Sequence, residues 1–208
     1  MPRTTPIIPL LALSALLGAS LNAQATVYQF SAALNAANEV GGSSSTAAGL
    51  AVLNYNDMGT VSLADDSYDF AMAVFGLSGG AAPGTAASDY HIHGAANTTQ
   101  NAPVRISLKN APFVSFNSGT TLLVGGLNIA APSIPSTPTN GYPAMSFFDM
   151  LQGGLAYVNV HTVANPGGDV RGQLVQVAAF AVPEPSIYAM LLGGLGLVGF
   201  VASRRRRQ

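Results

Sequence analysis

Polar and apolar residues alternate along most of the chain between residues 27 and 177, with the two-residue period of half-buried strands. Val27 to Ser31 opens with mixed alternation. Leu50, Val52 and Asn54 then lie opposite Ala51, Leu53 and Tyr55, and Asn56-Asp57-Met58-Gly59 supplies a turn. Ser67 to Leu77 puts Tyr68, Phe70, Met72 and Val74 on one face. Val104 to Leu108 sets three aliphatics against Arg105, and Leu155 to Thr162 and Val170 to Val177 form a closing pair. Ser146 to Gln152 breaks the period: Ser146 can cap a helix, Asp149 suits its first turn and Gly153 can end it. Residues 41–48 are small and polar, and 130–143 carry four prolines, so both read as connectors. Many short strands with one helical turn predict an all-β fold, a sandwich or Greek-key barrel.

The apolar positions at the two ends follow no such period. Arg3 precedes an apolar stretch from Ile7 to Leu17, and Ala23-Gln24-Ala25 offers a small-residue cleavage site. That is the layout of a secretory signal peptide over residues 1–25, leaving a mature chain that starts at Thr26. At the other end Pro183-Glu184-Pro185 stops any strand. An apolar run from Ile187 follows, and Arg204, Arg205, Arg206 and Arg207 hold its far end on the cytoplasmic side. The run is about 16 residues, short of the roughly 20 of a comfortable span, and four glycines weaken it. This tail resembles the PEP-CTERM sorting signal of Gram-negative bacteria. The resemblance implies export, transient anchoring in the inner membrane through a C-terminal membrane helix over 182–208, and processing by an exosortase. An ordinary tail anchor is the alternative.

Between the ends, residues 26–181 are long enough for one core. Three basic residues, Arg105, Lys109 and Arg171, stand against eight acidic ones, a net charge of −5 with His neutral. So acidic a domain has too few cations to neutralise phosphates, which excludes nucleic acid as a partner. Cysteine is absent, so the core holds without disulfides and no thiolate is available for metal or catalysis.

The candidate chemistry sits in three segments: Asp89 to Gly94, Tyr157 to Thr162 and Asn165 to Gln173. On strands, Asp89, His91 and His93 share a face, as do Tyr157, Asn159 and His161, and Asp169, Arg171 and Gln173. Asn165-Pro166-Gly167-Gly168 is a turn that folds the third segment beside the second. Two readings of the shared faces are open. In one, His91, His93 and His161 bind zinc or copper. In the other, the histidines belong to a polar network with Asp89, Asn159, Asp169 and Arg171, the arginine pairing a carboxylate. No nucleophile elbow or phosphate loop is present, and Asp65-Asp66 reads as a solvated turn.

The same segments resemble the CHRD domain: His91-Ile92-His93-Gly94, then Tyr157 to Thr162, then Pro166 to Gln173, with Phe30 through Val40 similar to the family's opening strand and turn. Asp169 stands where glutamate is common. The resemblance covers about Val27 to Val177 and implies an immunoglobulin-like sandwich without naming an activity. Together with the tail it implies a secreted or surface-associated, non-enzymatic binding or matrix protein, in an envelope or biofilm setting where exopolysaccharide and envelope proteins are the partners. A metal-dependent periplasmic or extracellular enzyme is the second reading.

Overall fold

The computed structural model describes residues 24–181. The leader expected over 1–25 lies outside them but for its last two residues, and the sorting tail expected over 182–208 lies wholly outside. Among the described residues ten antiparallel strands form one curled sheet: β1 (Thr26–Asn35), β2 (Ala48–Asp57), β3 (Ser67–Phe75), β4 (Asp89–His93), β5 (Val104–Ser107), β6 (Val114–Ser118), β7 (Thr121–Ala130), β8 (Tyr157–His161), β9 (Val170–Gln173) and β10 (Val175–Ala181). One α-helix, α1 (Phe147–Gln152), has Ser146 at its N-cap accepting from the Asp149 amide, and Gly153 at its C-cap, and a single 3-10 turn spans Ala36–Asn38.

The order β5-β4-β8-β9-β1-β2-β3-β7-β6, with β10 also on β1, divides into two walls. One is β5-β4-β8-β9. The other is β10-β1-β2-β3-β7-β6. Between them the pairing narrows to Asn35 opposite Arg171. The chain itself crosses at Leu174, where β9 ends and β10 begins. Leu174 is buried, and its N–H donates to the Ala156 carbonyl at 2.9 Å. A strand that bends from one sheet into the next is how sandwich corners are made. The sequence pattern reads Val170 to Val177 as one strand, and the corner leaves only a small mark in it, the adjacent apolar pair Leu174-Val175 where the apolar positions shift from even to odd.

The two-residue period decides what faces inward. Phe30, Leu34, Leu53, Tyr55, Tyr68, Phe70 and Val74 from the larger wall, and Tyr90, Ile92, Val158, Val160 and Val170 from the smaller, join one buried cluster. Burying each large side chain stabilises by about 1.5–3 kcal/mol. α1 bridges the walls: Phe147 packs against Tyr55 and Tyr68, with ring centroids 6.4 and 5.6 Å away, while Met150 occupies the space a Gly94 side chain would need. The far edges meet through side chains. The Tyr90 hydroxyl donates to Ser115 Oγ at 2.8 Å, and Asn117 Oδ1 accepts from the amides of Ala86 and Ala87.

Three details depart from the sequence expectation. The β6–β7 hairpin was not foreseen. Its two-residue turn, Gly119-Thr120 with Gly119 at φ +59°, is a recognisable hairpin signal, yet the flanking strands leave Val114, Phe116, Leu123 and Leu127 exposed, so no clear alternation marks them. β3 ends at Phe75, because Gly76 takes φ +82° and turns the chain. Asp66 is not solvated. It is 4% exposed and accepts the Tyr55 hydroxyl at 2.7 Å.

Candidate functional site

The alternation that sends Tyr90, Ile92, Val158 and Val160 inward sends His91, His93, Tyr157, Asn159 and His161 to the outer face of the smaller wall. Register fixes their neighbours: Asp89 lies opposite His161, His91 opposite Asn159 and His93 opposite Tyr157, while β9 places Arg171 beside Asn159 and Gln173 beside Tyr157. An outer face is normally wet, yet Arg171 is 1%, Asn159 3% and Tyr157 1% exposed. Loops cover it, and the polar side chains are what pin the loops.

Arg171 is the centre of that pinning. Nη1 donates to the Gln100 carbonyl at 2.8 Å and Asn101 Oδ1 at 3.1 Å, and Nη2 to the Asn97 carbonyl at 2.8 Å and Gln173 Oε1 at 3.3 Å. Its guanidinium carbon lies 3.5 Å from the centre of the Tyr157 ring, a buried cation–π contact. Gln173 Nε2 reaches the carbonyls of Ala96 and Gly154, and the Tyr157 hydroxyl accepts from the Ala102 amide at 3.0 Å. The carboxylate partner expected for Arg171 is therefore replaced by backbone carbonyls and a ring. Composition gives no sign of this, since a carbonyl acceptor can come from any residue. The close approach of β9 to β1 depends on Gly172, where a Cβ would lie 2.6 Å from the Ala33 carbonyl oxygen.

Asp169 is buried but stands in a network of its own. It accepts from Ser45 Oγ at 2.6 Å, Thr162 Oγ1 at 2.7 Å and Asn165 Nδ2 at 2.7 Å. These bonds tie the 43–45 loop to the Asn165–Gly168 turn, which closes through the Gly168 amide on the Asn165 carbonyl at 3.1 Å. Glu39 packs over that turn. Gly168 has φ +148°, and a Cβ there would come within 2.4 Å of the Glu39 carboxylate, so glycine makes room for the acid. Burial raises the Glu39 carboxyl to about 7. The Arg171 charge and a hydrogen bond from Asn159 pull it down, and Asp169 pushes it up. Glu39 and Arg171, with Asn38, Thr98, Thr99 and Gln173, line a cleft of about 490 Å³. The sequence placed Glu39 only within the opening-strand resemblance. Its part in the site comes from the loop after β1, which no local pattern reveals.

The three histidines come together. Ring centroids are 5.4 Å apart for His91–His93, 5.4 Å for His91–His161 and 6.1 Å for His93–His161. One ring nitrogen from each lies within 4.8 Å of the others. Asp89 Oδ1 is 3.0 Å from His91 Nε2, the single ion-pair geometry among the described residues. His93 stacks on Tyr157 at 4.9 Å and 7°. Because β8 lies between β4 and β9, the Tyr157 ring separates His93 from Arg171, so the guanidinium does not enter the histidine cluster. Burial lowers His91, against the pull of Asp89, and lowers His93 to about 4, so the His93 ring is neutral at pH 7.

A family model described as CHRD domain matches residues 30–174, and one described as PEP-CTERM protein-sorting motif matches residues 181–207. No curated protein and no solved structure matches the chain.

Proposed function

The chain belongs to the CHRD domain family and is exported and sorted by exosortase, and from that premise we propose that it is a non-enzymatic binding protein of the cell envelope or extracellular matrix. Its mature domain spans residues 26–181. The tail over 182–208 holds the chain transiently in the inner membrane until exosortase acts. The loop-covered outer face of β4-β8-β9 is its binding surface, with an exopolysaccharide or another envelope protein as the partner.

The observation that carries this reading is the pinning of the 95–102 loop by Arg171, Tyr157 and Gln173 beside the cleft at Glu39. Ordering loops before a ligand arrives removes much of the entropy cost of binding, which is what a recognition surface needs. The cleft offers two hydroxyls, two amides, a guanidinium and an acid, groups suited to polar ligands rather than apolar ones.

Intact-mass measurement on the native exported protein tests the sorting half. Processing predicts a mature chain without the segment from Ile187 to Gln208. Deletion of Arg204 to Arg207 is expected to leave the chain exported but unprocessed or poorly retained. A mature chain that keeps the whole segment overturns processing and leaves a plain tail anchor. Titration of isolated envelope polysaccharide into the exported protein tests the binding half. A Thr98→Val/Thr99→Val double variant should weaken the interaction, and equal affinity for both proteins counts against the cleft.

A further inference from the structure

We propose that His91, His93 and His161 form a transition-metal site that binds one zinc or copper ion through three imidazole nitrogens and leaves one coordination position to solvent. This deepens the reading of the outer face as a binding surface, on which it rests, by naming a ligand for its histidine end.

The hydrogen bonds assign the ring nitrogens. A carbonyl or carboxylate oxygen can only accept, so a ring nitrogen facing one carries the proton. His93 Nδ1 faces the Ala102 carbonyl at 2.9 Å, His161 Nδ1 faces the Pro166 carbonyl at 3.1 Å, and His91 Nε2 faces Asp89 at 3.0 Å. This selects, for each ring in its ligating form, the tautomer protonated on that outer nitrogen. The lone pairs are left on His91 Nδ1, His93 Nε2 and His161 Nε2. Outer acceptors that orient a ring and make its other nitrogen more basic are the usual surroundings of a ligating histidine.

Two of those lone pairs are anomalous without an ion. His91 Nδ1 and His93 Nε2 are buried and have no hydrogen-bond partner. Each such group costs about 1–3 kcal/mol when left unpaired. A purely structural network would place a donor between the rings. The two cations near the rings are engaged elsewhere: Arg171 with Asn97, Gln100, Asn101 and Gln173 on the other side of Tyr157, and Lys109 with the Ser88 carbonyl at 2.7 Å. A cation that accepts lone pairs satisfies all three rings at once.

The dimensions fit. Nitrogens about 2.0–2.1 Å from a tetrahedral zinc are roughly 3.3 Å apart. One ring nitrogen from each histidine already lies within 4.8 Å of the others, so for that set the contraction is about 1.5 Å at most. Small side-chain rotations supply that, because β4 and β8 already hold the backbones in register. Three imidazoles favour zinc and copper over magnesium and calcium, which take oxygen ligands. No fourth Asp, Glu or Cys joins the cluster among the described residues, and Asp89 is engaged on the outer nitrogen of His91. His91 and His161 are only partly buried, so water reaches the remaining position. Three protein ligands and a solvent molecule make an open site.

The test uses the full exported chain, stripped with a chelator and titrated with zinc or copper(II) alone. The expected result is one ion per chain. His161→Gln changes a partly exposed residue and keeps a side-chain donor, so the metal-free protein should still unfold in one cooperative transition while binding weakens at least about 100-fold, and Asp89→Asn should weaken it about 10-fold. Copper(II) electron paramagnetic resonance should report nitrogen ligation, and added azide should shift its visible spectrum by entering the open position. Absence of stoichiometric binding, or an unchanged affinity in His161→Gln, overturns the site. A spectrum indifferent to azide overturns the open position. Because the polysaccharide titration is run on the metal-free protein as well, loss of the metal proposal alone leaves polysaccharide binding intact, whereas failure of the surface reading shows as no binding in either form.

Discussion

The two faces of the β4-β8-β9 wall are made by alternate residues of the same strands, and both bury side chains, for different reasons. Inward, Ile92, Val158 and Val160 are buried by the opposite wall, in contacts that need size and shape but no direction. Outward, Tyr157, Asn159 and Arg171 are equally buried, but by loops that stay in place through directed hydrogen bonds. The inner face should therefore tolerate a small change of volume, whereas the outer face should fail when one donor is lost.

Arg171→Ala breaks the comparison hardest. It leaves the carbonyls of Asn97 and Gln100 without their donor and removes the ring contact, an expected loss of about 3–5 kcal/mol in denaturant unfolding. Amide exchange should accelerate in residues 95–103 while the amides of β2 and β3 keep their protection. Equal acceleration in both would mean that the loops are not held by this side chain.

Glu39→Gln gives the next effect, visible only through pH. The folded carboxyl titrates near 7, above its unfolded value near 4.5. Its neutral form is thus favoured by the fold, and the stability it contributes is complete below pH 4.5 and lost as pH rises to 7. His93, lowered to about 4, opposes this in the wild type, since its burial costs stability as pH falls below 6.5. The difference between variant and wild type isolates Glu39. The glutamine form should gain on the order of 2 kcal/mol relative to wild type between pH 4.5 and 7.5. A difference that stays flat across that range would contradict a buried acid.

Ile92→Val should have the smallest effect, about 0.5–1.5 kcal/mol and uniform across the domain, because it removes one methylene from the inner face. A larger loss, or one confined to the 95–103 loop, would erase the distinction between the faces.

The same contrast explains what could be read from the sequence. Periodicity carries the inner face, so Tyr68 to Val74 and the all-β class were legible. The helix at Ser146 was legible from capping chemistry alone. Strand parity also placed the three histidines on one side of their strands. What parity cannot supply is the cover: the Ala102, Pro166 and Gln100 oxygens that orient His93, His161 and Arg171 belong to backbone, which no side-chain pattern encodes. Asp169 shares the parity of Arg171, but it lies just before β9 begins, and there its carboxylate meets Ser45 and Thr162 instead.

β10 has a mechanical consequence. Thr26, where β1 starts, is paired with Ala181, where β10 ends and the sorting motif begins. A pull on the tail enters the domain at Ala181 and runs along β10, across its ladder to β1. The rungs of that ladder are then sheared together rather than opened one after another. The loaded strand is roughly 20 Å long, and it reaches the outer face only beyond the corner at Leu174. A force applied at Ala181 is passed to β1 before it reaches the loops of the outer face.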